Sequence, residues 1–517
     1  MASESNSKSS KGRSCSINLP ELDLIILSTE AILCKEDYRK LRLGFELLSE
    51  LISPPRNNEK ADSVLEDVPD DSPADKASPP GHGRKKPEAF GRRKKVSVAH
   101  PQLKPGQPCP CGCGGKVYLI KRRRTIRRFD GQPSIAVTIY ELEQLRCNVC
   151  EEVFPAPLPE EAGPKTYQPS AVSIIALGKY GSGLPFYRQA GMLGCLGVPI
   201  AAATQYEIVA AAAKEIQPAH TELVRLAAQG IVAYADDSSM TILDFARAKE
   251  DKRTGIHTTA VVSDCGAFRI GLFFTGGKHC GENMKSLIDK REPNLAALIQ
   301  MTDALSSNFS ELDSSDAVIV CCCLIHGRRN FVKIINSFPA ACRYVIEAIK
   351  AVYRNDKICR LSELDSEARL MFHQANSGPI MDKLLEWFNQ QIDEKLVEPN
   401  SGLGKAIQYM LNHWDGLTQF LRVAGAPLDS NQAERAVKKV ILHRKNSLFY
   451  KTALGAKTGD IHMSLIYTCQ LNGVNPFDYL TELQLNAAAV TKCPGDWMPW
   501  NYELTLERTL ERRKLVA

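Results

Sequence analysis

The chain has 517 residues, of which 44% are hydrophobic, enough for one or more buried cores and too many for wholesale disorder. At about 150 residues per domain, this length favours two to four domains. The longest apolar run, residues 317–325, is about half the length that a membrane-spanning helix requires. The N-terminal segment is polar and lacks the apolar core of a secretory signal, so we expect a cytoplasmic protein.

The net charge of +6 is distributed unevenly. Residues 84–128 contain 15 Lys or Arg and a single acid, which gives this stretch +14 and leaves −8 for the rest of the chain. Such a concentration of positive charge favours binding to a polyanion, most often nucleic acid, through counterion release. A solvated linker or a localisation signal is the alternative interpretation of the same charges.

The first 98 residues are interpreted as a helix followed by a linker. Residues 21–52 follow a proline and place Leu41, Phe45 and Leu48 on one apolar face, so a helix is predicted within a segment 1–52. That face either pairs with a second copy as a short coiled coil or packs on the body of the protein. Residues 53–98 are rich in proline, serine and acid, then in basic residues, which is typical of a disordered linker.

Five clustered cysteines predict a small zinc-ribbon-like module over residues 99–156. They are Cys109, Cys111, Cys113, Cys147 and Cys150. Two thiolate groups separated by a strand-rich connector are typical of a structural Zn²⁺ site with four tetrahedral ligands. Cys113, Cys147 and Cys150 are the preferred ligands, with either Cys109 or Cys111 as the fourth; free thiols in a loop are the alternative. The same module carries basic side chains that we expect to bind DNA: Arg122, Arg123, Arg124, Arg127 and Arg128.

Residues 157–228 are predicted to be helical. Within them, residues 186–213 read as a helix, a Gly-Val-Pro turn and a second helix. This pattern fits either a DNA-binding helix-turn-helix or ordinary packing of helices before a catalytic core.

The next segment predicts five strands in the order β-β-β-α-β-α-β. They lie at residues 230–243, 257–265, 267–277 and 297–305, with a fifth beginning at residue 317. This order favours an RNase H-like core within an α+β multidomain protein. The first and fourth strands are neighbours in that arrangement, so Asp236 on the first and Asp303 at the end of the fourth should converge.

A third acid is expected from a later helix. Glu434 follows capping residues at positions 429–432 and lies at the edge of an apolar helical stripe. Three carboxylates suit Mg²⁺ and can hold two ions at a phosphodiester, although a charged helix edge or a strand-end turn explains any one acid. The residues between Asp303 and Glu434 are helical in pattern, so we predict a helical insertion at about 335–425 in a catalytic domain 229–485, followed by a C-terminal tail 486–517.

Several long motifs occur in a fixed order along the chain. They are CPCGCGG with CNVC, GKYGSGLPFYRQ, AYADDSS, MTDALSSN followed by CLIHGRRNF, APLDSNQAERAVKKVILHRKNSLFYKT with SLIYTCQLNGVNPFDYL, and DWMPWNY. From about residue 81 onward, the chain resembles bacterial DDE transposases of the insertion sequence 66 family. The resemblance implies that Asp236, Asp303 and Glu434 form a catalytic triad that binds Mg²⁺ or Mn²⁺. Water would attack a phosphodiester at the transposon end to free a 3′-hydroxyl, which would then attack target DNA.

The same resemblance implies double-stranded DNA as the partner, both as terminal inverted repeats and as target. It also implies a homo-oligomer on DNA, accessory proteins encoded by the element, and a place at the bacterial nucleoid. The chain departs from many relatives in two places. It has Asp236-Asp237 where they carry Asp-Glu, and it has an extra cysteine in the knuckle that contains Cys111.

Basic residues flank the three acids in sequence and are candidates for phosphate binding, with surface salt bridges as the alternative. They are Arg328, Arg329, Arg435, Arg444 and Lys445. His326 either contacts the scissile phosphate or has a structural role. Two other functions share these features: a catalytically inactive, zinc-containing DNA-binding regulator, and a metal-dependent nuclease that cleaves without strand transfer.

Overall fold

A computed structural model describes residues 101–111, 113–118, 134–146, 148, 153–244, 255–304 and 317–516. The chain divides into two compact units, Arg56–Gln132 and the remainder, and each is described by itself. Five sequence predictions lie outside the described residues: the N-terminal helix, the linker, the five arginines of residues 121–128, the ligands Cys147 and Cys150, and the helix between the fourth and fifth strands.

In the unit Arg56–Gln132, backbone hydrogen bonds join residues 106–109 to residues 115–117. The N–H of Val117 donates to Gln107 at 2.9 Å, and the N–H of Cys109 donates to Gly115 at 2.7 Å. Gly114 has φ +77°, a left-handed conformation that glycine adopts without the steric cost of a Cβ atom. The knuckle sequence therefore doubles back and brings its cysteines together.

The larger unit contains a two-stranded and a five-stranded sheet. The two-stranded sheet pairs β1 (Gln144–Arg146) with β2 (Val153–Pro155). The strands of the five-stranded sheet are β3 (Val232–Met240), β4 (Ile256–Asp264), β5 (Arg269–Gly276), β6 (Leu298–Thr302) and β7 (Val318–Cys322). Their order is β5-β4-β3-β6-β7, with β3, β4 and β5 antiparallel and β3, β6 and β7 parallel. The predicted mixed α and β class, the five strands and the neighbouring first and fourth strands are confirmed.

Helices surround this sheet. Those before or between the strands are α1 (Pro169–Ala176), α2 (Phe186–Cys195), α3 (Ala202–Ala227) and α4 (Cys280–Ile288). After the last strand come α5 (Leu324–Val332), α6 (Pro339–Leu361), α7 (Ser366–Asn376), α8 (Gly378–Asp393), α9 (Gly402–Asn412) and α10 (Trp414–Leu417). The chain continues with α11 (Asn431–Ser447), α12 (Ala453–Leu471), α13 (Pro476–Leu485), α14 (Ala487–Lys492) and α15 (Tyr502–Val516). Over the described residues, no helix combines the length and apolarity that crossing a membrane demands.

The core lies on both faces of the sheet. All five residues of β6 are buried, and so are the first four of β3, as expected for central strands that are covered on each side. Cys321, Cys322 and Cys323 are also buried, and burial raises the pKa of Cys321 and Cys322 to about 12. These thiols remain protonated and pack as small apolar side chains.

Helix α12 covers the edge strand β5 with polar side chains. Ser464 Oγ accepts the N–H of Phe273 at 3.0 Å, and Thr468 Oγ1 accepts the N–H of Gly271 at 3.1 Å. Asp460 Oδ2 accepts the N–H of Thr275 at 2.8 Å. Four residues along a helix and two residues along a strand span similar distances. Acceptors at every fourth residue of α12 therefore match donors at every second residue of β5. The outer N–H groups of β5 are therefore satisfied within the chain.

Candidate active site

Asp236 lies in the middle of β3, and Asp303 directly follows the end of the neighbouring parallel strand β6. Strand β3 pairs with β6 through Tyr234 and Met301, and continuing this register by two residues sets Asp236 beside Asp303. The pKa of Asp236 is raised to about 6, first by burial and second by the nearby Asp303 carboxylate. The structure thus brings these two predicted residues together, and their mutual repulsion is strong enough to affect protonation.

Glu434 reaches the same region from the first turn of α11. Arg329 Nη2 donates to Glu434 Oε1 at 3.0 Å and to Oε2 at 3.3 Å, and the Glu434 side chain is only 20% exposed. His326 Nε2 lies 3.8 Å from Glu434 Oε1 and 3.1 Å from Arg329 Nη1. Because His326 also lowers the pKa of Asp236, it lies within electrostatic reach of both acids. Helix α5 therefore supplies two cationic or polar groups at the acidic cluster.

The adjacent carboxylate, Asp237, has different contacts. Its Oδ1 accepts a hydrogen bond from Thr259 Oγ1 at 2.6 Å, and its Oδ2 accepts the N–H of Cys280 at 2.8 Å. Asp237 thereby fixes the first residue of α4 against the sheet. Strand alternation directs Asp236 to the other face, which supports Asp236 as the member of the pair that faces Asp303.

The five basic residues predicted to flank the acids differ in their surroundings. Arg444 Nη1 donates to Ser239 Oγ at 2.6 Å and to Ser238 Oγ at 3.2 Å, so it ties α11 to the end of β3. Arg329 is engaged with Glu434, and Arg328 is half-buried. Arg435 and Lys445 are exposed on α11 and are available to an external anion.

Two side chains at this site were not singled out from the sequence. Cys280 is fully buried, and its thiol pKa is raised well above the usual value by burial and then by Asp237, Asp236 and Asp303. Tyr409 of α9 has a pKa raised by burial and then by several groups that include Asp303. Both residues are far from the acids in sequence, and no local motif marks either of them.

The acid cluster fits a divalent cation. Carboxylate oxygens are the ligands that Mg²⁺ and Mn²⁺ prefer. Burial and repulsion raise the pKa of Asp236, and a bound cation relieves both effects because it stabilises the ionised carboxylates. Asp236 and Asp303 are therefore suited to hold such an ion, and Glu434, which is paired with Arg329, is the candidate third ligand.

The cysteine knuckle forms a separate group in the smaller unit. Cys109 Sγ lies 3.1 Å from Cys111 Sγ, and the three sulfurs of Cys109, Cys111 and Cys113 are all within 4.8 Å of one another. The sequence favoured Cys113 with one of the other two, whereas the structure brings all three together. Such a set of thiols suits Zn²⁺.

Comparison with known proteins agrees with the motifs. A family model described as Transposase IS66 family matches residues 165–458, more than half of the chain, in a span that includes Asp236, Asp303 and Glu434. The chain is 23% identical over 423 residues to the uncharacterized protein y4hP of Sinorhizobium fredii, covering 78% of this chain and 74% of that protein. It is also 26% identical over 411 residues to the uncharacterized protein y4jD of the same organism, with 76% and 78% covered.

The family match defines a transposase-type protein, which implies DNA as its partner. The chain belongs to the transposase IS66 family.

Proposed function

We propose that this protein is a DDE transposase that cleaves DNA at the ends of its element and joins them to target DNA. The observation that carries the proposal is the convergence of Asp236 and Asp303 at neighbouring parallel strands, with Glu434 added from α11. The strand order β5-β4-β3-β6-β7, with its antiparallel and parallel halves, supports an RNase H-like core.

The reaction consists of two phosphoryl transfers. In the first, a water oxygen bonds to phosphorus, the bond to the 3′ oxygen breaks, and a 3′-hydroxyl and a 5′-phosphate result. In the second, that 3′-hydroxyl bonds to a target phosphorus, displaces a target 3′ oxygen and loses its proton. Asp236, Asp303 and Glu434 would hold Mg²⁺ or Mn²⁺, which supplies charge stabilisation to the attacking and leaving oxygens.

Neighbouring residues position this site and its DNA. Arg329 fixes the Glu434 carboxylate through two hydrogen bonds, and Arg444 holds α11 on the end of β3. The exposed Arg435 and Lys445 bind backbone phosphates, because an accessible cation on the helix that carries a catalytic acid lies near the DNA path. His326 lies where it can donate a proton or a hydrogen bond to phosphate.

We assign supporting roles to the rest of the chain. In the predicted zinc module over residues 99–156, four of the five cysteines Cys109, Cys111, Cys113, Cys147 and Cys150 would bind the ion, and the module would present the arginines of residues 121–128 to DNA. The proposed insertion at about 335–425 corresponds to a run of helices from α6 to α10 between the second and third acids. Segments 1–52 and 157–228 would serve assembly of a homo-oligomer and DNA contact.

The test incubates the purified full chain and Mg²⁺ with duplex DNA that carries the terminal repeats of the element. We expect 3′-end cleavage and joined products from the wild type, and a loss of roughly 100-fold or more in Asp303→Asn and Glu434→Gln. Asp289→Asn is the matched control, because Asp289 is an acid with a 60% exposed side chain outside the site.

Three outcomes would overturn parts of this proposal. Undiminished activity of Asp303→Asn would remove the catalytic assignment. Cleavage without joined products would indicate a nuclease, and DNA binding without any cleavage would indicate a regulator.

A further inference from the structure

A second group of ligand-type side chains lies on the other face of the sheet from Asp236. Asp237 of β3 pairs across the sheet with Thr259 of β4, and His257 precedes Thr259 by two residues, so Asp237 and His257 share a face. His279 is the N-cap of α4 and brings its ring to the same place. The ligand atoms of Asp237, His257 and His279 all lie within 4.8 Å of one another.

We propose that Asp237, His257 and His279 bind a transition-metal ion of the Zn²⁺ class. Two imidazoles and one carboxylate suit Zn²⁺ and similar ions, whereas Mg²⁺ prefers oxygen ligands. The site is therefore chemically distinct from the cluster of Asp236, Asp303 and Glu434. This inference goes beyond the proposed function and does not depend on it.

The spacing of the group is close to what such an ion requires. His279 Nδ1 lies 3.7 Å from Asp237 Oδ2. Two ligand atoms of a tetrahedral zinc ion, each bonded at about 2.1 Å, lie roughly 3.4 Å apart. The centroids of the His257 and His279 rings are 4.2 Å apart, so small rotations of half-exposed side chains bring all three ligands onto one ion.

Further side chains hold the carboxylate ligand in place. Thr259 Oγ1 donates to Asp237 Oδ1 at 2.6 Å and accepts from Asn283 Nδ2 at 2.8 Å. The N–H of Cys280 fixes the other carboxylate oxygen at 2.8 Å. Such supporting hydrogen bonds are typical of metal sites, where they orient the ligand before the ion arrives.

The site is accessible and joins three elements. The side chain of His279 is 44% exposed, whereas that of Asp237 is 16% exposed, so an ion enters from solvent and binds to a carboxylate that is already fixed. Three ligands leave a fourth position for water. The bound ion would link β3, β4 and the start of α4, and would stiffen the part of β3 that carries Asp236.

The test titrates Co²⁺ into the metal-free full chain with Mg²⁺ in excess, so that Mg²⁺ occupies the oxygen-ligand site. Cobalt at the cysteine knuckle gives intense thiolate charge-transfer absorption, whereas cobalt bound to Asp237, His257 and His279 gives only weaker ligand-field bands. We expect one equivalent of cobalt per chain to bind with ligand-field bands alone and without thiolate absorption.

Substitution of the ligands identifies the site. We expect His257→Ala and His279→Ala each to remove that equivalent, and Thr259→Val to weaken it by roughly 10- to 100-fold. His413→Ala is the matched control, a half-buried histidine outside the group. Far-ultraviolet circular dichroism confirms that each variant is folded.

Two results would overturn this inference: cobalt stoichiometry unchanged in both histidine variants, or an equal loss in the His413→Ala control. The cobalt measurement and the DNA cleavage assay test different sites. We therefore expect Asp303→Asn to bind the same equivalent of cobalt as the wild type, whatever the outcome of the cleavage assay.

Discussion

Asp236 and Asp237 are adjacent in the chain, but strand alternation directs their side chains to opposite faces of the sheet. Asp237 accepts hydrogen bonds from Thr259 and from the backbone at Cys280. Asp236 is half-buried close to Asp303, and these surroundings raise its pKa to about 6. The Asp237 carboxylate therefore stabilises the fold. The ionised Asp236 carboxylate is destabilised by its surroundings and is available to a cation.

This difference gives a prediction with a defined sign. The pKa of Asp236 is higher in the folded protein, about 6, than the roughly 3.9 of an unfolded aspartate, so its contribution to stability falls as pH rises from about 4 to about 6. In the absence of divalent ions, we expect Asp236→Asn to raise the free energy of unfolding at pH 7 by as much as about 2–3 kcal/mol. The gain should disappear near pH 4. Urea denaturation at both pH values measures it.

Asp237→Asn is the control for that measurement. The asparagine amide cannot accept both hydrogen bonds that the Asp237 carboxylate accepts. We therefore expect Asp237→Asn to lower the free energy of unfolding by about 1–3 kcal/mol. A destabilised Asp236→Asn, or a gain that is independent of pH, would contradict this account of the pair.

At the level of single residues, the sequence identified Asp236 by its predicted strand and its motif. It did not reveal the role of Asp237, because the partners Thr259 and Cys280 lie 22 and 43 residues away. The glutamate three residues after His279, whose side chain accepts the N–H of His279, is a local signal that a helix begins there. No local pattern links His257 to that helix.

Among the elements, helix α12 and strand β5 show how the sheet is closed at one edge. Asp460, Ser464 and Thr468 recur every four residues and accept alternate N–H groups of the strand. Gly271 permits the close approach, because a Cβ atom there would clash with the ring of Tyr467. An edge strand covered in this way is protected from pairing with another chain.

Removing one acceptor tests this arrangement. Ser464→Ala leaves the buried N–H of Phe273 without its partner, so we expect a loss of about 1–3 kcal/mol in the free energy of unfolding and faster amide hydrogen exchange at Phe273. Thr491→Ala is the control, because the exposed Thr491 hydroxyl bonds only to a carbonyl of its own helix at Ala487. Unchanged exchange at Phe273, together with a loss no larger than that of the control, would show that Ser464 does not satisfy the strand.

The sequence predicted the strands that bear the first two acids and a helical insertion after them. Val345, Ile349 and Val352 of α6, within that insertion, are buried. It did not predict the contact of α12 with β5. The acceptors are polar, so they add nothing to an apolar stripe, and their partners are about 190 residues away.

On the scale of the whole molecule, the strongly basic segment and the acids of the candidate active site lie in different parts of the sequence. Residues 84–128 carry +14, whereas the remainder carries −8 and contains Asp236, Asp303 and Glu434. The order of motifs was sufficient to identify the transposase IS66 family. The clamp of Arg329 on Glu434 spans 105 residues and becomes visible only in the folded structure.

The central claim, that Asp236, Asp303 and Glu434 hold the catalytic ion, is tested most directly by changing one ligand atom. Asp236→Cys replaces a hard oxygen with a soft sulfur, which Mn²⁺ tolerates better than Mg²⁺ does. The measurement is the ratio of DNA cleavage rates in Mn²⁺ and Mg²⁺ for the wild type, Asp236→Cys and the exposed control Asp289→Cys. We expect the ratio to rise by roughly tenfold or more in Asp236→Cys alone. The same ratio in all three proteins would contradict the claim.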